Sequence, residues 1–187
     1  MSTQRYGRWS EGSNPSETTR TRCMVRIQPP ELITGRSIRG NAGHKINKMN
    51  IVFTDIDGVL NTVNRSEWNQ ESIKLYDDLC EEYNLKCVLT STWRVNRTIQ
   101  EMRNVFNQQG VKTKIVDFTP IIPFSGRGEE IEEWLKNNSW NKFIIIDDNI
   151  RDIESFGLPN IIKCRGWVGF SNEEYNLAKK ILNNGKE

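Results

Sequence analysis

The chain reads as polar until residue 51, and from there short apolar runs alternate with segments whose apolar residues return every three or four positions. Residues 51–54 predict a strand that ends in Asp55. Residues 69–83 carry Ile73, Tyr76, Leu79, Cys80 and Tyr83 at helical spacing. A second strand is expected over 86–89, ending in Thr90. Thr98 and Glu101 stand as a capping box before a helix with Ile99, Met102, Val105 and Phe106 on one face, and Gly110 stops it. A short strand near Ile115 and Val116 leads to a loop bracketed by Pro120 and Pro123. The next helix, over 128–137, turns Ile131, Trp134 and Leu135 inward. Phe143, Ile144, Ile145 and Ile146 form the unbroken apolar run of a central strand covered on both faces, which ends in Asp147 and Asp148. A last strand near Ile161 and Ile162 precedes a helix capped by Ser171 and Glu174, with Leu177, Ala178, Ile181 and Leu182 facing in.

Strands that alternate with helices in this way predict an α/β fold, a Rossmann-like parallel sheet with helices on both faces. The length of 187 residues suits one domain over 50–187 with a small extension before it. That extension, residues 1–49, lacks either periodicity and is expected to be disordered. Charge separates the two parts: residues 1–50 hold nine Lys and Arg against three Glu, a net +6, while residues 51–187 carry seventeen against twenty-one, a net −4. Two readings of the basic segment stand, a solvated extension and an arm that contacts nucleic acid through its arginines, and a translation start at Met49 is a third. No apolar run is long enough for a membrane span and no apolar block follows the N-terminus, so the expected location is cytoplasmic. The four cysteines, Cys23, Cys80, Cys87 and Cys164, have no metal or disulfide spacing and are expected to be reduced core residues. With His44 as the single histidine, any catalysis falls to carboxylates, hydroxyls and metal.

Chemistry gathers at the strand ends, and ligands bind at the carboxyl edge of open parallel sheets. Asp55 and Asp57 follow the first strand, with Gly58 permitting a tight turn. Thr90 and Ser91 follow the second, Ser91 offering its hydroxyl or its backbone N–H. Asp147 and Asp148 follow the fourth. Four carboxylates at one edge repel one another, and an oxygen-preferring divalent cation, Mg²⁺, relieves this. Arg127, before the helix leading to the fourth strand, is placed to hold an anionic substrate. Arg94 reads equally as a phosphate clamp and as surface charge, Trp93 as core more than as a base-stacking platform, and Asp117 and Glu129 to Glu133 as solvated.

The run from Ile51 to Leu60, a strand followed by Asp55, Ile56, Asp57, Gly58, Val59 and Leu60, resembles the first motif of the haloacid dehalogenase (HAD) superfamily of aspartate-nucleophile phosphatases. Val88, Leu89 and Thr90 resemble its second motif, Arg127 its third, and Asp147 with Asp148 its fourth. Thr90 to Arg94 and the run Arg127 to Leu135 are similar to the phosphatase domains of Swiss-army-knife RNA repair proteins. The resemblance covers roughly residues 50–183 and implies a nucleophilic Asp55 and a general acid Asp57. It further implies that Thr90 and Arg127 hold the transferring phosphoryl group and that Mg²⁺ joins Asp55, Asp57 and the fourth motif. Asp148 stands four residues before Asp152, the spacing of the two-acid form of that motif. Asp148 is then the first choice of direct ligand, with Asp147 and Asp152 next. Substrate contacts are expected from Ser91, Arg94 and Gly58.

The intervals 61–86 and 93–125 are too short for a separate cap domain, so the site is expected to be open to a bulky phosphoester. These features together predict a Mg²⁺-dependent phosphomonoesterase with an aspartyl-phosphate intermediate, acting on nucleotide or polynucleotide-end phosphates. A phosphatase of a small phosphorylated metabolite and a non-catalytic binding protein on the same fold are the alternatives.

Overall fold

The computed structural model describes residues 48–62 and 67–184. The basic segment up to residue 47, with Cys23 and His44, lies outside the described residues. Five parallel strands make one sheet: β1 (Met49–Thr54), β2 (Leu85–Leu89), β3 (Ile115–Phe118), β4 (Trp140–Asp147) and β5 (Ile161–Lys163). The helices are α1 (Gln70–Glu82), α2 (Ile99–Gln108), α3 (Arg127–Asn137), α4 (Arg151–Ser155) and α5 (Asn172–Asn184), with a 3₁₀ turn at Thr92–Arg94.

Strand order is β3-β2-β1-β4-β5. The chain therefore winds outward from β1 to one edge, returns to the other side of β1 with β4, and winds outward again. This reversal leaves a switch point between β1 and β4, where the loops that follow the two strands diverge and open a crevice. Alternate side chains of β1 serve opposite faces. Val52 joins the core beneath α1, α2 and α5 with Tyr76, Leu79, Met102, Phe106, Ala178 and Leu182. Ile51 and Phe53 join the core beneath α3 and α4 with Ile131, Trp134 and Ile153. Helices thus cover both faces, as the apolar run of β4 predicts, and no separate cap domain interrupts the described residues. No helix among them is long and apolar enough to cross a membrane.

Local signals place most helix ends. Asn69 caps α1 by accepting from the Glu71 and Ser72 N–H groups, and the Thr98–Glu101 box opens α2. Departures from expectation have physical causes. β4 starts three residues before its apolar run because Met49 and Asn50 of β1 supply backbone pairing to Trp140 and Lys142 there. Leu177 is exposed, since the inward stripe of α5 runs through Glu174, Ala178 and Leu182. Asp117 lies within β3 and accepts the Trp134 Nε1–H at 2.7 Å, so it is a half-buried cross-link and not a solvated charge. α4 has a single buried residue, Ile153, and is too short to show a period. Cys80, Cys87 and Cys164 are free and buried, as expected, and burial pushes the Cys87 thiol up to about 11, so it stays protonated and inert at neutral pH.

Candidate active site

Register carries the acidic residues together. Thr54 pairs with Ile146 on one side and with Leu89 on the other, so the residues that follow, Asp55, Asp147 and Thr90, leave three adjacent strands at one level. The Asp55 N–H still donates to the Ile146 carbonyl at 3.1 Å and the Thr90 N–H to the Thr54 carbonyl at 3.0 Å, which extends the ladder to the edge of the site. Carboxylate oxygens of Asp55, Asp147 and Asp148 lie within 4.8 Å of one another.

Asp148 reaches this group over Gly58. The glycine has φ +74°, and a Cβ there would stand 2.4 Å from the Asp148 carboxyl carbon, so any side chain would displace the carboxylate. Its N–H donates to Asn61 Oδ1 at 3.2 Å. Gly58 thus makes room for an acidic neighbour, and its N–H is already engaged within the protein.

Arg127 enters from the first turn of α3. Its Nη1 donates to Asp55 Oδ2 at 2.8 Å and also to Asp147 Oδ2. Burial works against its charge, but Asp147 and Asp55 outweigh that and hold the guanidinium above its ordinary value. Asp147 is fully buried, and burial, reinforced by the charge of Asp55 and opposed by Arg127, pushes its carboxyl up to about 7. Asp148 is raised by burial first and by Asp55 next. Three acids and one cation therefore share a desolvated site with an excess of negative charge.

Thr90 is 1% exposed and its Oγ1 has no hydrogen-bond partner among the described residues. A buried hydroxyl without a partner costs stability, and a ligand oxygen at the same level as Asp55 would satisfy it. Ser91 is buried and its Oγ accepts the Trp93 N–H at 3.4 Å, so its side chain caps the 3₁₀ turn.

Three expected site residues stand elsewhere. Asp57 is outside the carboxylate cluster: Asn61 Nδ2 donates to its Oδ1 at 2.9 Å and Trp93 Nε1 to its Oδ2 at 2.8 Å. It is held beside the cluster by two donors, outside the group of three carboxylates. Asp152 also lies outside the cluster, because its Oδ2 accepts the Arg127 N–H and caps α3, whose own N-cap residue, Gly126, has no side chain.

Arg94 is the third. Its guanidinium has five N–H donors, and these meet the carbonyls of Thr90, Ser91, Thr119 and Pro120 and the carboxylate of Glu130. With every donor engaged it clamps the protein's own backbone, and neither the phosphate-clamp nor the surface-charge reading holds. Glu130, expected to be solvated, is the buried partner.

Sequence reasoning missed Asn61, Glu130 and the Trp93 indole N–H that meets Asp57, although Trp93 packs against the core as expected. Signals existed for two of them. Glu130 is four residues before the buried Trp134 on α3, which turns it inward. Asn61 follows Asp57 at the four-residue spacing of a single helical turn.

The residues fit an oxygen-preferring divalent cation: three clustered carboxylates, of which Mg²⁺ ordinarily uses one or two with substrate oxygens completing the shell. No solved structure matches the chain. The sequence model of one family, described as the HAD domain in Swiss Army Knife RNA repair proteins, matches residues 51–175, about two thirds of the chain. With that match and an acidic cluster at the switch point of a parallel sheet, the chain belongs to this family of HAD domains.

Proposed function

We propose that the protein is a Mg²⁺-dependent phosphomonoesterase that works through an aspartyl phosphate on Asp55, with nucleotide or polynucleotide-end phosphates as its substrate class. The observation that carries this reading is the buried Thr90 hydroxyl, without a partner among the described residues, one strand away from a carboxylate that Arg127 holds in place. A hydroxyl donor and a guanidinium converging beside a nucleophile suit the oxygens of a transferring phosphoryl group.

Asp55 attacks phosphorus and the ester oxygen leaves with a proton supplied by Asp57, and Asp57 then takes a proton from the water that hydrolyses the acyl phosphate. Thr90 donates to a phosphoryl oxygen and Arg127 neutralises charge on that group. Asp55, Asp147 and Asp148 would hold Mg²⁺, which supplies Lewis-acid stabilisation of the phosphoryl oxygens. The basic residues 1–50, with their net charge of +6, would add affinity for a polyanion.

Metal removal tests the reading. Hydrolysis of an aryl phosphate falls by at least about a hundredfold in excess chelator and returns on adding Mg²⁺. Undiminished turnover in chelator rules the proposal out.

Trp93 gives a finer test. Trp93→Phe keeps a ring edge-on against Trp68 but removes the donor that orients Asp57. Proton donation matters most when the leaving group is poor, so kcat on a nucleotide phosphate drops about tenfold more than on an aryl phosphate. Equal losses on both substrates would show that the Trp93 N–H does not act through Asp57.

A further inference from the structure

A cavity of about 570 Å³ opens from the site, with Thr90 and Arg127 at one end and Val95, Ile121, Phe124 and Arg151 around the rest. The volume lies within the range of small-molecule sites and is far more than a phosphate group fills. Among the described residues seven large apolar side chains are exposed, and Val95, Ile121 and Phe124 are three of them. An exposed apolar rim on a cavity with a polar floor marks a binding surface.

Phe124 is the most telling of the three. The Ser125 N–H donates to the Ile122 carbonyl at 3.2 Å, closing a loop in which Pro123 precedes Phe124, and Phe124 has φ +65°. Proline at the second position and positive φ at the third form the pattern of a type II turn, which favours glycine or asparagine where Phe124 stands. Among the described residues the other non-glycine residues at positive φ are Asn84, Asn96 and Asn160, all of the type that tolerates this conformation. Phe124 has no such excuse, and its ring is wholly exposed at 110% relative accessibility. A residue that strains the backbone and buries nothing works against the fold, and strain of this kind collects at ligand clamps.

We infer that Phe124, with Val95 and Ile121, stacks on the terminal base of a single-stranded nucleic acid while its end phosphate lies on Thr90 and Arg127, an assignment that rests on the phosphatase reading. Arg151 selects this occupant. It is exposed and forms no ion pair among the described residues, so it can meet a second phosphate while Arg127, anchored on Asp55 and Asp147 through Nη1, serves the first. A mononucleotide or a phosphopeptide offers one phosphate to this cavity. A polynucleotide end offers a planar base and a second phosphate, which match Phe124 and Arg151. Stacking is sequence-tolerant because every base has a flat face.

The test uses the full chain, single-stranded hexanucleotides with a terminal phosphate at one end or the other, the corresponding mononucleotides, glycerol phosphate and a phosphotyrosyl peptide. The wild type has its highest kcat/KM on a hexanucleotide. Phe124→Ala lowers the ratio of hexanucleotide to glycerol-phosphate kcat/KM about tenfold, and Phe124→Trp restores it. Phe124→Gly relieves the turn and raises Tm by about 2–4 °C while losing the same discrimination. Arg151→Ala, measured by anisotropy of a labelled hexanucleotide on Asp55→Asn protein, reduces the slope of log affinity against log salt by about 0.7.

A ratio unmoved by Phe124→Ala, a fall in Tm with Phe124→Gly, or an unchanged salt slope with Arg151→Ala overturns the assignment. Higher kcat/KM on the mononucleotide or the peptide overturns it in favour of that occupant. Absence of turnover on every phosphate, glycerol phosphate included, sinks the phosphatase reading, and the anisotropy arm then still decides the binding surface.

Discussion

Asp55→Asn reduces the chemical step on any phosphomonoester by about 10⁴-fold or more, with Mg²⁺ saturating and the fold intact. The substitution is nearly isosteric, and the amide oxygen can still accept either from Arg127 Nη1, 2.8 Å from Asp55 Oδ2, or from the Ile56 N–H, 2.8 Å from Asp55 Oδ1. Packing is therefore kept and the loss is chemical: an amide does not attack phosphorus, and the aspartyl phosphate cannot form. Asp57→Asn behaves differently. Asn61 and Trp93 hold that side chain beside the acidic cluster, so removing its proton leaves Asp55 able to attack. An aryl phosphate, whose leaving group needs little protonation, retains a first turnover, while a nucleotide phosphate does not. Single-turnover hydrolysis of both substrates by both variants reads the difference. An Asp55→Asn protein that keeps most of its rate, or an Asp57→Asn protein that loses both substrates alike, refutes this division of labour.

The acidic cluster was legible in the sequence because it depends on strand ends. A parallel sheet puts the residues after each strand at one edge, so Asp55, Thr90, Asp147 and Asp148 could be grouped from apolar runs alone. What surrounds them depends on contacts between distant parts of the chain, which leave no periodic trace. Asp152 follows Asp148 at ligand-like spacing, yet it turns to cap α3 because Gly126 cannot. Arg94 looks the same in sequence whether it faces a phosphate or the backbone. Only the fold brings Thr119, Pro120 and Glu130, each at least 25 residues away, within reach of it. Phe124 illustrates a third kind of silence: the residues Ile122 to Ser125 read as loop, and only the sign of φ shows that a bulky ring stands where a glycine would be easier.

The Arg94–Glu130 pair should dominate the stability of this edge. Removing one partner of a buried pair leaves the other charged and unpaired, at a cost of about 3–5 kcal/mol, a large part of the ~5–15 kcal/mol that holds a typical domain. Arg94→Met and Glu130→Leu each therefore lower Tm by roughly 10 °C in a domain of this size. The double variant separates two explanations. Buried ion pairs can often be replaced together by apolar residues without loss. Here Arg94 also serves four backbone carbonyls, those of Thr90, Ser91, Thr119 and Pro120, which no methionine can satisfy. The guanidinium thus fastens the strand end that carries Thr90 to the loop after β3, and Glu130 ties both to the helix that carries Arg127. Combining Arg94→Met with Glu130→Leu consequently leaves most of the destabilisation in place, and activity falls with it because Thr90 and Arg127 lose their common support. Denaturant unfolding of the two single variants and the double variant decides the point. Recovery of wild-type stability in the double variant would mean that the carbonyl contacts contribute nothing and that the charge pair alone accounts for the single losses.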